Sequence, residues 1–141
     1  MSKVNILDAS AILAYLQQED GQDKVEAAFD LAPSWVSAVN YCEVVSKLCE
    51  KGMPSAEAHD VMDDLAMTVV DFDISSARLT ADLRVRTKAI GASLGDRACL
   101  ALAEHAMKSA SSPIVYTAEI AWTKLKWPFQ MVLIRNAKSS T

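Results

Sequence analysis

Four carboxylates stand where a ligand site could be built: Asp8, Glu43, Asp96 and Glu119. Asp8 directly follows the apolar run VNIL, and Glu43 comes six residues after SWVS ends. Asp96 follows the second glycine of GASLG, and Glu119 sits in TAEIAW just after PIVYT. Carboxylates gathered in one pocket cannot all stay ionised unaided, because like charges raise one another's pKa. A bound divalent cation removes that conflict. An all-oxygen donor set suits Mg²⁺ or Mn²⁺ better than zinc. Each acid also has a plainer role at a helix start. Asp8 and Asp96 fit N-caps, although Ser10 is expected to cap the first helix by itself. Asn40 with Glu43 fits a capping box, and Glu119 fits a first turn capped by Thr117. One acid alone favours the plain role; their joint placement favours a site.

That placement depends on the elements between them. Five short runs rich in Val, Ile or aromatics read as strands: VNIL (4–7), SWVS (34–37), TVVDF (68–72), PIVYT (113–117) and MVLI (131–134). Helical patterns lie between them. They run from Ser10 to Gln18, Lys24 to Leu31, Val39 to Lys51, Pro54 onward, Ile74 to Lys88 and Asp96 to Met107. Strands alternating with helices imply βαβ units, a mainly parallel sheet and helices on both faces. Such sheets bind ligands beyond the carboxyl ends of their strands. Asp8, Glu43 and Glu119 follow strands, so three of the four acids fall at that edge.

The chain has 141 residues, is 51 % hydrophobic and holds four Gly and four Pro. This excludes a linker or a disordered segment and corresponds to one domain. No apolar run nears the roughly 18 residues of a membrane span. The start, MSKVNILDAS, lacks the long apolar core of a signal peptide, so a cytoplasmic setting is expected. Cys42, Cys49 and Cys99 form no CxxC pair and read as small buried hydrophobes in a reducing compartment. The net charge of −4 argues against a generally basic nucleic-acid binder. The charge is uneven, however. Residues 1–30 hold two lysines against six acids, while residues 105–141 hold five basic residues and one acid.

The segments LDASAILAYL, SAVNYCEVVSKL, SLGDRACLALA and VYTAEIAW, in that order across residues 4–122, resemble the signature segments of PIN-domain nucleases. The nearest group is the VapC-type toxins of bacterial toxin–antitoxin pairs. The resemblance implies a three-layer α/β/α sandwich with five strands in the order 3-2-1-4-5. The domain would span residues 1–137, with 138–141 a frayed tail. It implies a Mg²⁺- or Mn²⁺-dependent endoribonuclease with Asp8, Glu43, Asp96 and Glu119 as catalytic metal ligands. Glu119 stands where the family usually has aspartate. Ser10 and Thr117 match the small polar residues that support the first and fourth acids. A VapB-like antitoxin and a homodimer are the expected partners, with RNA as substrate and no membrane.

Arg84, Arg86 and Lys88 lie within five residues, and with Arg97 they are candidates for RNA phosphates. Trp35, Trp122 and Trp127 are read as packing residues before stacking platforms. His59 and His105 lie within helical segments and are not expected to bind metal. The apolar residues Val44, Val45, Leu48, Met53, Val61, Met62 and Leu65 exceed what one sheet face needs, and point to a groove for a partner. Two alternatives stay open. One is a PIN-fold binding module without catalysis, supported by Glu119. The other is a receiver-type signalling domain, which shares the alternating architecture but would need an acidic pair after its first strand.

Overall fold

The computed structural model describes residues 2–135. The expected tail at 138–141 lies outside them. The strands are β1 (Lys3–Leu7), β2 (Ser34–Ser37), β3 (Thr68–Val70), β4 (Ser112–Thr117) and β5 (Gln130–Leu133). The helices are α1 (Ala9–Leu16), α2 (Gln22–Leu31), α3 (Ala38–Glu50), α4 (Ser55–Asp64), α5 (Ile74–Thr87) and α6 (Leu94–Lys108). Short 3-10 turns cover Lys88–Ile90 and Ile120–Lys124. The sheet order is β3-β2-β1-β4-β5, and every pairing is parallel.

The period-2 alternation of the central strands divides the core between the two faces of the sheet. Val4 and Ile6 of β1 and Val115 of β4 join α6, Leu83 and Trp122 on one face. Leu7, Ile114 and Tyr116 join α1–α4 on the other. Each fully buried large aliphatic side chain contributes about 1.5–3 kcal/mol. Ala98, Ala101, Ala103 and Ala106 are all buried, so small side chains let α6 lie close to its neighbours. The apolar residues expected to line a partner groove on α3 and α4 turn to the core instead. Val44 and Leu48 are buried, and Val45, Met53, Val61 and Leu65 pack against the same cluster, so the apolar surplus closes those helices on the core.

The helix starts depart from their sequence reading by a few residues. Asp8 itself caps α1, its side chain accepting from Ala11 N–H, while Ser10 lies inside the helix. Ser37 caps α3, so Asn40 and Glu43 form no capping box there. Ser93 caps α6, and Asp96 completes a reciprocal capping box from the third helical position. β3 ends before Asp71 and Phe72, because Asp73 is already accepting from Ser76 N–H as the cap of α5. Gly21 has φ +98°, and a Cβ there would meet the Ile134 carbonyl at 2.8 Å, so the turn into α2 requires glycine.

Candidate active site

β1 and β4 are neighbours in register, with Leu7 opposite Tyr116. Their next residues therefore meet at the carboxyl edge of the sheet. Asp8 is 3 % exposed and its carboxylate is densely bonded. Oδ1 accepts from Ala11 N–H at 2.8 Å and from the Ser10 hydroxyl at 2.7 Å. Oδ2 accepts from the Thr117 hydroxyl at 2.6 Å. The two hydroxyls are themselves anchored. Ser10 Oγ accepts from Ala118 N–H at 2.9 Å, and Thr117 Oγ1 accepts from Glu119 N–H at 2.9 Å. Ser10 and Thr117 thus tie Asp8 to the backbone that carries Glu119.

Glu43 reaches the same edge from the second turn of α3. Its Oε1 accepts from Asn40 Nδ2 at 2.8 Å, and the same nitrogen donates to the Gly95 carbonyl at 3.0 Å. Asn40 is buried, so it links α3 to the start of α6. A Cβ on Gly95 would overlap the Glu43 carboxylate, so the glycine makes room for the acid. Asp96 is one residue further along α6, half-buried, with Oδ2 accepting from Ser93 N–H at 3.0 Å. The sequence paired Asn40 with Glu43 only as a capping box; the link from Asn40 to Gly95 and the room Gly95 leaves for Glu43 were not recognised, because those partners lie 52 to 55 positions apart.

Electrostatics show that the four acids share one neighbourhood. Burial pushes the Asp8 carboxyl up to about 6, against three lowering hydrogen bonds, with Glu119 adding repulsion. Glu119, on the exposed side, is raised by partial burial and then by Asp96, with Arg135 opposing. Cys99 is fully buried one turn beyond Asp96. Its thiol is pushed well up by burial and then by the charges of Asp8, Asp96 and Glu43. Among the described residues, Arg135 is the cation that opposes the negative charge at Glu119, and it is itself held by Glu19 at 3.6 Å and the Asp20 carbonyl at 3.1 Å.

Among the described residues, no three Asp, Glu, His or Cys side chains form a ready-made metal cage. Glu43 is turned to Asn40 and Asp96 to Ser93. The donor set still suits a hard divalent cation, since it is all oxygen. A carboxylate offers about four acceptor positions, and Asp8 fills three, leaving one on Oδ2. His59 instead meets the Tyr41 hydroxyl at 2.6 Å, and His105 lies exposed on α6.

The other sequence candidates scatter. Arg84, Arg86 and Lys88 are exposed near the end of α5. Arg97 is turned away from the acids, donating to the Thr80 carbonyl at 3.0 Å with its Nε unpartnered, so it meets α5 where a phosphate contact was expected. Cys42 is exposed, not packed, and lines a cavity of about 590 Å³ with Val39, Phe72, Leu94 and Glu43. Trp122 is core and Trp35 packs against it. No helix of the described residues is long and apolar enough to cross a membrane.

The family profile described as PIN domain matches residues 6–123. No curated protein sequence matches the chain. Several solved structures share its fold. VapBC2 from Rickettsia felis, bound to a promoter DNA fragment, aligns with TM-score 0.61 at 15 % identity, covering 92 % of this chain and 97 % of that one. DNA-bound VapBC from Salmonella typhimurium gives 0.58 at 16 % identity, covering 94 % and 98 %. FitAcB from Neisseria gonorrhoeae gives 0.59 at 18 % identity, covering 90 % and 95 %.

Proposed function

The chain belongs to the PIN-domain family, and from that premise we propose that it is a Mg²⁺- or Mn²⁺-dependent endoribonuclease, the toxin of a toxin–antitoxin pair. The observation that carries this reading is the convergence of Asp8, Glu43, Asp96 and Glu119 on one edge of the sheet. Three of them raise the same buried Cys99 thiol, and Glu119 interacts with Asp96 and Asp8. Asp8, Glu43 and Asp96 are proposed to hold the cation, with Glu119 a further ligand or a base that positions water. A divalent cation bound there supplies an activated water and neutralises charge on a phosphodiester.

The chain's own residues prepare that chemistry. Ser10 and Thr117 fix the Asp8 carboxylate and leave Oδ2 with a free acceptor position. Asn40 and Gly95 set the Glu43 carboxylate beside the start of α6. Asp96 and Glu43 are half-buried, and with Asp8 they are the side chains that would hold the cation. Arg84, Arg86 and Lys88 remain the proposed phosphate contacts; Arg97 is committed to Thr80.

The partner assignments are part of the same proposal. The relatives in complexes are named as VapBC and FitAcB assemblies. The apolar cavity beside Glu43 suits an antitoxin segment that would cover the acids, and a homodimer is expected. The strand order 3-2-1-4-5 differs from the 2-1-3-4-5 of receiver domains, which removes the signalling alternative. A binding module without catalysis is the remaining competitor, resting on Glu119.

One experiment separates these. Protein freed of any antitoxin, given structured RNA with Mg²⁺ or Mn²⁺, is expected to cleave it, and Asp8→Asn is expected not to. Identical RNA patterns from the two proteins would defeat the nuclease reading.

A further inference from the structure

Arg86, Leu125, Lys126 and Trp127 line a second pocket, of about 250 Å³. Ligand pockets typically span about 300–1,000 Å³, so this one suits a fragment such as one nucleotide. Its walls are held still. The Trp127 indole N–H donates to the Trp122 carbonyl at 2.9 Å, and its ring stacks on Phe129 at 5.6 Å. The Arg86 guanidinium lies 5.8 Å from the Trp127 ring centre and is fixed by Glu104 at 2.6 Å. Arg86 still has a half-exposed side chain, 53 % accessible.

The surroundings are basic in an acidic protein. The 3-10 turn Lys88–Ile90 packs against the turn Ile120–Lys124. That contact brings Arg86 and Lys88 to Lys124 and Lys126, residues nearly forty positions apart. All four are exposed, and Glu104 pairs with Arg86. The second turn begins directly after Glu119, so the pocket continues the chain segment that leaves the carboxylate site.

We propose that this pocket is a single-stranded RNA subsite outside the carboxylate site. It holds one phosphate between Arg86 and Lys126 and one base against the Trp127–Arg86 wall. A guanidinium at cation–π distance from an aromatic ring offers both a phosphate fork and a stacking face, which is how unpaired RNA is commonly held. Aromatic stacking is tolerant of base identity, so the subsite contributes affinity and register more than sequence choice. The inference rests on the ribonuclease reading for the choice of RNA as ligand.

The test is binding of fluorescein-labelled octauridylate to the full chain in EDTA, read by anisotropy and tryptophan fluorescence. Arg86→Gln with Lys126→Ala is expected to weaken binding about tenfold or more. It should lower the slope of log affinity against log salt by about 0.7, the value for one lost phosphate contact to a single strand. Trp127→Phe is expected to remove most of the fluorescence change. Lys126→Glu alone, at an exposed position, gives the same direction with no risk to the Glu104 pair. Lys47→Gln, exposed on α3, is expected to bind as wild type does. Unchanged affinity in the double variant and in Lys126→Glu overturns the subsite. So does a polyglutamate peptide that binds as tightly as octauridylate and is lost with the same substitutions. Because EDTA removes catalysis, the two readings fail separately. Pocket-dependent binding without any cleavage defeats the nuclease and keeps the subsite. Cleavage with unchanged KM in the double variant defeats the subsite alone.

Discussion

Asp8 is 3 % exposed, with both carboxylate oxygens bonded. Arg86 and Lys126 stand in solvent beside a ring that its neighbours hold still. The two regions acquire their charge at different cost. The acid corner is set by strand pairing deep in the fold, so its negative charge is desolvated and the Asp8 carboxyl rises to about 6. The basic pocket is set by two short surface turns, and its cations stay hydrated. A charge that folding has made expensive is one that a ligand can relieve. A charge in solvent steers and holds without altering stability much. Substitutions in the first region should therefore change chemistry and stability together, and those in the second only RNA affinity.

The largest effect expected is on cleavage. Asp8→Asn should lower the rate by more than the roughly 10–100-fold typical of an outer-shell change, while Ser10→Ala and Thr117→Val should fall within that range. Equal losses in all three, measured as kcat/KM on one RNA, would merge the roles kept apart here. The next effect is on stability without metal. The folded Asp8 pKa, about 6, lies above the 3.8 of an ordinary aspartate, so the folded state holds the proton more tightly. Its contribution is therefore full below about pH 4 and is lost as pH rises through 6, roughly 3 kcal/mol at most. Urea melts in EDTA should show this decline in wild type relative to Asp8→Asn. Parallel curves for the two proteins would contradict it.

Gly95→Ala sharpens the contrast within the acid corner. A Cβ would displace the Glu43 carboxylate, the free end of a flexible side chain. Replacing a helical glycine gains about 1 kcal/mol of propensity. The melting temperature should therefore hold or rise while Mn²⁺ affinity falls about tenfold; a falling Tm with unchanged affinity would refute the steric account. The smallest effect is expected at Glu119→Asp. The residue is exposed and its charge is screened, so activity should change by less than about tenfold.

The sheet and its order were legible because short apolar runs end in turn residues, and because four acid-bearing segments appear at family spacings. The caps were not. Ser10 and Asp8, Ser37 and Asn40, and Ser93 and Asp96 are rival acceptors two or three residues apart, and only tertiary partners choose between them. The Ser10 hydroxyl is drawn to Ala118 N–H, 108 positions away. The apolar residues of α3 and α4 gave no sign that they pack on each other. Arg86 and Lys126 lie forty positions apart, so a window sees two ordinary charged runs where the fold makes one pocket.

The central claim is that Asp8, Glu43 and Asp96 act as one cation-holding group. Isothermal titration of Mn²⁺ into the metal-free protein tests it most directly. Saturable binding to wild type is expected, weakened at least about tenfold by each of Asp8→Asn, Glu43→Gln and Asp96→Asn. No binding to folded wild type, or binding that survives all three substitutions unchanged, would contradict it.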